Sequence, residues 1–257
     1  MMAKHLEPCK TQVESTPVEC AGMSSCSDGA SKNPDRIGLV GDMSLVELRK
    51  ILSVALICDA LDSAGLRRQA PQLEIRPVTL PDVFLMGRCK TMLWAEMAHR
   101  DPKPYELELA AVDSCRPGDV LVCAAAGSSR SGVWGELLST AARNAGCIGA
   151  IIDGCVRDVA KMRAMSFPVF ARRTNPYDSR DRQRVIDYDV RIELDGTEVN
   201  PGDLIAADED GIVVIPKSIE AEVVRAASEK ALKENGVRDA IRGGMTASEA
   251  FRTFGVL

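Results

Sequence analysis

An α/β fold built on a mixed sheet is what this chain of 257 residues predicts. Three observations lead there. Val120 to Ala125 and Ile148 to Ile152 are apolar throughout, as strands buried on both faces are. Around them apolar residues recur at helical spacing, as in Leu45, Leu48, Ile51, Leu52 and Ala55. Further on, Asp195-Gly196 separates two short runs and reads as a hairpin turn. Helices, all-apolar strands and hairpins in one chain give a mixed sheet flanked by helices.

Taken in order, residues 1–38 are rich in Ser, Thr, Pro, Gly and Cys and read as a disordered extension. Residues 39–257 read as a single domain, because no long linker interrupts residues 44 to 245. Ser44 with Glu47 forms a capping-box pattern at a first helix, and a second helix spans Val54 to Ala64 before Gly65. Leu73 to Val78 and Gly87 to Leu93 read as strands, and Glu106 to Ala111 as a short helix. Arg116-Pro117-Gly118-Asp119 turns the chain into the first buried strand. A loop from Gly127 to Gly132 leads to a helix over Gly135 to Asn144, closed by Gly146. After the strand Ile148 to Ile152, Asp153 to Asp158 reads as a loop, followed by a helix to Met165 and a strand Pro168 to Ala171. Residues 174–185 are polar and read as an extended loop. The hairpin Asp187 to Val199, a strand pair Leu204 to Asp208 and Gly211 to Ile215, a long helix Lys217 to Arg242 and a last helical stretch Thr246 to Phe254 complete the chain.

Composition limits the function. Hydrophobic residues make up 46% and charged residues 27%, with a formal net charge of -5. No face has an excess of Lys and Arg that would neutralise phosphates, so nucleic acid is not an expected partner. No apolar run reaches the roughly 18 residues that span a bilayer, and the start of the chain lacks an apolar signal region, so no membrane is expected and a cytoplasmic location is. Of nine cysteines, Cys58, Cys89, Cys115, Cys123, Cys147 and Cys155 sit in apolar segments and read as small buried hydrophobes. Cys9, Cys20 and Cys26 match no zinc spacing. With His5 and His99 as the two histidines, a histidine triad or zinc site has little material. No lysine is recognised in a buried strand, which leaves Schiff-base chemistry without a signal. Neither nucleotide-binding glycine motif is present.

Two segments carry chemistry. Arg157 and Asp158 follow a buried strand, where open α/β sheets place ligand sites. The arginine can hold a carboxylate or an oxyanion, and the aspartate can ligate Mg²⁺. A surface arginine beside a helix-capping aspartate is the other reading. Gly135-Glu136-Leu137-Leu138 opens a helix whose first N–H groups can bind an anion, or is an ordinary helix start. The acidic run Asp208-Glu209-Asp210 reads as a charged hairpin tip, with cation binding as the alternative.

These residues resemble the RraA-like family. The family includes the class II 4-hydroxy-4-methyl-2-oxoglutarate/4-carboxy-4-hydroxy-2-oxoadipate aldolases and the regulator of ribonuclease E activity A. The resemblance rests on Trp134 to Leu138, Gly146, Gly149, Asp153 to Asp158 and Phe167 to Ala171, and extends to Val199 to Asp203, Ala207 to Pro216 and Asp59 to Asp62. Its signature is an acidic residue, twenty intervening residues, then Arg-Asp, which Glu136 and Arg157-Asp158 satisfy. Several members have Asp where this chain has Glu136.

The resemblance implies an RraA-like swivelling-domain sandwich, assembled as a homotrimer or homohexamer, and a metal-dependent lyase acting on small 2-oxo acids. By the same carry-over, Asp158 ligates Mg²⁺ or Mn²⁺ and Arg157 contacts the keto and carboxylate oxygens. Gly135, Leu137 and Leu138 bind the substrate carboxylate through backbone, and Glu136 orients water on the metal. Glu234, in the C-terminal helix of a neighbouring subunit, completes the site. Retro-aldol cleavage to pyruvate and decarboxylation of oxaloacetate share one enolate, and the scarcity of histidine points to water as the base. The alternatives are a non-catalytic regulatory binding protein and a lyase on a sugar-acid-like substrate selected by residues 174–184.

Overall fold

The computed structural model describes residues 39–40 and 43–256. The extension 1–38, with Cys9, Cys20, Cys26 and His5, lies outside the described residues.

A short pair, β1 (Leu39–Val40) with β2 (Met43–Ser44), precedes α1 (Leu45–Ile51). The Ser44 side chain accepts the Glu47 N–H while Glu47 accepts the Ser44 N–H, so the expected capping box is present. Then come α2 (Val54–Ser63), β3 (Arg76–Pro77), β4 (Leu85–Glu96), α3 (Glu106–Asp113) and β5 (Asp119–Ala124). The region of the site follows: β6 (Gly132–Trp134), α4 (Glu136–Asn144), β7 (Gly149–Val156), α5 (Val159–Ala164) and β8 (Val169–Thr174). The chain finishes with β9 (Gln183–Tyr188), the hairpin β10 (Ile192–Leu194) and β11 (Thr197–Val199), the pair β12 (Leu204–Ala207) and β13 (Ile212–Ile215), α6 (Glu220–Arg242) and α7 (Ala247–Phe254).

The main sheet has nine strands, in the order β13-β12-β4-β5-β7-β8-β3, with β6 beside β7 and β9 beside β4. β4, β5, β7 and β8 run parallel, and β3, β9, β12 and β13 are antiparallel to their neighbours. The sheet is therefore mixed, as the sequence predicts. Both faces are covered, which explains the unbroken apolar strands. Met92, Leu121, Cys123, Ala150 and Ile152 pack under α3, α4 and α5. Met86, Leu204, Ala206, Val213 and Ile215 pack under α1, α2 and α6. The alternate residues Cys89, Val120, Val122, Ile151 and Val214 meet the β10–β11 hairpin through Ile192, Leu194 and Val199.

Several boundaries differ from the sequence reading. β7 continues to Val156, through the segment read as a loop, because Arg172 pairs with the buried Asp153 carboxylate and removes the cost of placing it in a strand. β9 begins at Gln183, inside the segment read as an extended loop. Of the expected strand Leu73 to Val78, Arg76–Pro77 pairs with β8 and the Val78 N–H adds a bond to Val169 O at 2.9 Å, so the strand is shorter than expected. A buried lysine does exist: Lys90 in β4 is 5% exposed. Its ammonium donates to Ser114 Oγ at 2.8 Å and pairs with Asp189 at 2.6 Å, which satisfies it as a structural cation. Five of the six cysteines assigned to apolar segments are buried, and Cys58 is half-buried. Asp208 is a helix cap: its carboxylate accepts the Val54 N–H at the start of α2.

Candidate active site

The parallel strands β6 and β7 end side by side, and each delivers one motif. At the end of β6 the chain turns at Gly135 into α4, and at the end of β7 it passes into Arg157 and Asp158. The Arg157 N–H donates to Trp134 O at 2.8 Å, which locks the two motifs together. Below them the buried Trp134 Nε1 donates to Ser139 Oγ at 2.7 Å, and that hydroxyl donates to Gly135 O at 2.9 Å. The helix start is thus braced from within the core.

Gly135 is extended, with φ -157°, so its requirement is space and not conformation. A Cβ there would lie 2.8 Å from Asp158 Oδ2 and 3.2 Å from Arg157 Cγ. No side chain caps α4. Among the described residues the Leu137 and Leu138 N–H groups have no partner, and both residues line a cavity of about 290 Å³. Arg157, Asp158 and Glu136 line the same cavity.

Asp158 is not the helix cap that the alternative reading expected. It precedes α5 with φ 56°, a left-handed conformation uncommon for a non-glycine residue, and its side chain makes no cap bond. Its closest cation is Arg157 Nε at 3.8 Å. Glu136 bends back along α4, and its carboxylate accepts Thr140 Oγ1 at 3.0 Å.

Three titratable cavity residues were missed by the sequence reading. Asp178 pairs with Arg157 Nη2 at 2.7 Å and accepts the Tyr105 hydroxyl at 2.7 Å and the Arg180 N–H at 2.7 Å. Burial pushes the Asp178 carboxyl up, but those donors and the Arg157 charge outweigh it and hold it below its ordinary value. Tyr105, left-handed at φ 65°, has its phenol raised to about 12, first by burial and then by the bond to Asp178. Glu108 on α3 is 5% exposed, and burial, reinforced by Asp178 and opposed by Arg157, raises its carboxyl to about 8. A signal for Glu108 was available: it sits three and four residues before Ala111 and Val112, inside the buried stripe of its helix. Asp178 had no such signal beyond its place in the Arg/Asp-rich loop. That loop is pinned to β6 by the Gly132 N–H on Tyr177 O at 2.8 Å, in so close an approach that a Cβ on Gly132 would meet Asn175 O at 2.5 Å.

Glu234 is on α6, flanked by Lys230 and Arg238 at 3.8 Å each, and does not line this cavity within one chain.

The carboxylates outnumber the cation. Asp178 offsets Arg157, and Glu108 is largely protonated at neutral pH, so Asp158 and Glu136 leave an excess of negative charge. Among the described residues no three His, Cys, Asp or Glu side chains surround one point. A carboxylate beside open space, whose one ion pair is the long 3.8 Å contact with Arg157 Nε, fits a hard divalent cation that takes its other ligands from water and substrate oxygens, as Mg²⁺ and Mn²⁺ do.

A family description, "RraA-like: Aldolase/RraA", matches residues 54–214. The chain belongs to the RraA-like family. Among its RraA-like relatives, a Halalkalibacterium halodurans protein named "Putative 4-hydroxy-4-methyl-2-oxoglutarate aldolase" is 33% identical over 143 residues, 56% of this chain and 68% of its own. Protein DlpA of Legionella pneumophila is 30% identical over 198 residues, 76% of this chain, which spans only 31% of that protein. The fold is shared with Streptomyces coelicolor RraAS2, described as an unusual member of the RNase ES inhibitor RraA protein family. That likeness has a TM-score of 0.66 at 28% identity and covers 75% of this chain and 96% of RraAS2. An uncharacterized Pseudomonas syringae protein gives a TM-score of 0.69 at 28% identity, over 79% and 94% of the two chains.

Proposed function

We propose that this chain is a divalent-metal-dependent lyase that cleaves 4-hydroxy-2-oxo acids to pyruvate and decarboxylates oxaloacetate. The observation that carries the reading is the convergence of Arg157, a non-capping Asp158 and the uncapped start of α4 on one cavity. The aldolase name of the Halalkalibacterium relative agrees with it.

Asp158 would hold the metal ion, and Glu136, which lines the same cavity, would order water on it. The ion, when bound, draws electron density from the keto oxygen of the substrate and favours the enolate. The Leu137 and Leu138 N–H groups bind the substrate carboxylate, helped by the positive end of α4. Arg157, kept in place by Asp178, presents its remaining N–H donors where the enolate oxygen gains charge. Arg157 is preorganised because one side of its guanidinium is already fixed, so little reorganisation accompanies the charge that develops.

The test is pyruvate release from oxaloacetate and from a 4-hydroxy-2-oxo acid with Mg²⁺ or Mn²⁺. EDTA should abolish it, and Arg157→Ala should lower kcat by about a hundredfold or more. Turnover that survives both rejects the reading. A second reading, a non-catalytic regulator, draws on the likeness to RraAS2; it predicts no turnover of any such acid.

A further inference from the structure

Glu108 stands apart from the other carboxylates of the cavity. Asp178 is engaged by Tyr105, Arg180 and Arg157, and Glu136 by Thr140. Asp158 is the metal anchor of the proposed function. Among the described residues the Glu108 side chain forms no hydrogen bond and no ion pair, although it is 5% exposed and lines the cavity. An unpartnered carboxyl in a buried helix stripe is costly to keep. α3 would pack as well with an apolar residue there, between Leu107 and the buried Ala111 and Val112.

We propose that Glu108 is the proton carrier of this site, taking the C4 hydroxyl proton of the substrate and returning it to C3 of the enolate. The assignment rests on the lyase reading and deepens it. In the first half, the C4 O–H bond breaks and its electron pair forms the new carbonyl. The C3–C4 pair becomes the C2=C3 bond of the pyruvate enolate, whose oxygen lies towards Arg157. The carbonyl product leaves. In the second half, the enolate pair takes the proton from Glu108 to form the new C3–H bond, and C2=O closes. One hydroxy-oxo acid gives one pyruvate and one carbonyl compound, with no proton or electron gained or lost. A carboxyl raised to about 8 has both forms accessible near neutral pH, as a group that must accept and then donate requires.

Glu108→Gln keeps the shape and removes the exchangeable acid. With Mg²⁺ and a 4-hydroxy-2-oxo acid, its kcat should fall by about a hundredfold or more while KM stays within about threefold. Exchange of the pyruvate methyl protons with D₂O, followed by NMR, should fall by a similar factor. Glu108→Asp, which keeps the acid one methylene short, should restore part of both. A structural role would not remove the methyl exchange while leaving KM and the thermal midpoint in place. Glu108→Gln with kcat and exchange within about threefold of wild type overturns the assignment, as does a loss carried by KM alone. Where the Gln variant fails to fold, Glu108→Asp decides: exchange slowed about tenfold supports the assignment, and unchanged exchange overturns it. A wild-type chain inactive on every 2-oxo acid overturns the lyase reading and this assignment together. An active wild type matched by Glu108→Gln overturns the assignment alone.

Discussion

Arg157 and Asp158 are consecutive, yet Asp158 meets a cation only at 3.8 Å, the Nε of Arg157 itself, while the close partner of that guanidinium, at 2.7 Å, is the Asp178 carboxylate. The Asp178 carboxylate also acts on Glu108, where it adds to burial in keeping the proton on, against the pull of Arg157. That has a consequence for stability. In the unfolded chain Glu108 titrates near its ordinary 4.5, and in the fold at about 8. Below pH 4.5 both states are protonated and nothing is lost. As pH rises from 4.5 to 8 the unfolded chain ionises and the folded one does not, so stability falls; above 8 the loss is complete, on the order of a few kcal/mol. Urea unfolding of the metal-free protein between pH 5 and 9 should therefore show a decline that Glu108→Gln flattens. Asp178, Tyr105, Asp158, Glu136 and Arg157, the other charged or titratable groups of the cavity, are common to both proteins, so the difference reports Glu108 together with its coupling to Asp178 and Arg157. Equal slopes would mean that the cavity solvates the carboxylate.

At the scale of elements, α4 and β7 explain why the site is so compact. A Cβ at residue 135 would press on Asp158 Oδ2 and Arg157 Cγ, both parts of side chains that can move. Gly135→Ala should leave the thermal midpoint within a few degrees, because no core residue is displaced and the backbone angles suit alanine. It should lower kcat about tenfold or more by pushing the carboxylate proposed to hold the metal out of line. Steady-state kinetics beside a thermal melt checks both, and full activity would show that Asp158 needs no such cradle. These elements also show what the sequence makes legible. α4 is written in local terms, with glycine before and after it and an amphipathic interior. The capping boxes at Ser44 and Thr246 are local as well. The full length of β7 is not local, because Asp153 and Gly154 look like a turn until Arg172 is known to neutralise the first. β6 is three residues long and held by a loop more than forty residues later, so nothing in Gly132 to Trp134 announces it. Gly135 and Glu136 were found as the start of a helix, and Arg157 and Asp158 because they follow a buried strand, whereas Tyr105 and Asp178 reach the cavity only through tertiary pairing.

At the scale of the whole molecule, Glu234 lies away from the cavity. Within one chain it belongs to α6, which packs on α1, α2, β12 and β13, whereas Arg157 leaves the end of β7. The mouth of the cavity carries Leu109 at 50% exposure and Leu137 at 77%, apolar surface that a second copy would cover. We propose a trimer or hexamer in which each site takes Arg157 from one subunit and Glu234 from the next, which would account for both facts. That arrangement makes a prediction a monomeric site cannot meet. Arg157→Ala and Glu234→Ala should each be inactive alone. Mixed in equal amounts and allowed to exchange subunits, they should recover about a quarter of wild-type activity, because one site in four then draws its intact arginine and its intact glutamate from different chains. Sedimentation of the mixture should show the same assembly as wild type. Two inactive proteins that exchange subunits and stay inactive would place the whole site in one chain, and an active Glu234→Ala would remove that residue from the chemistry.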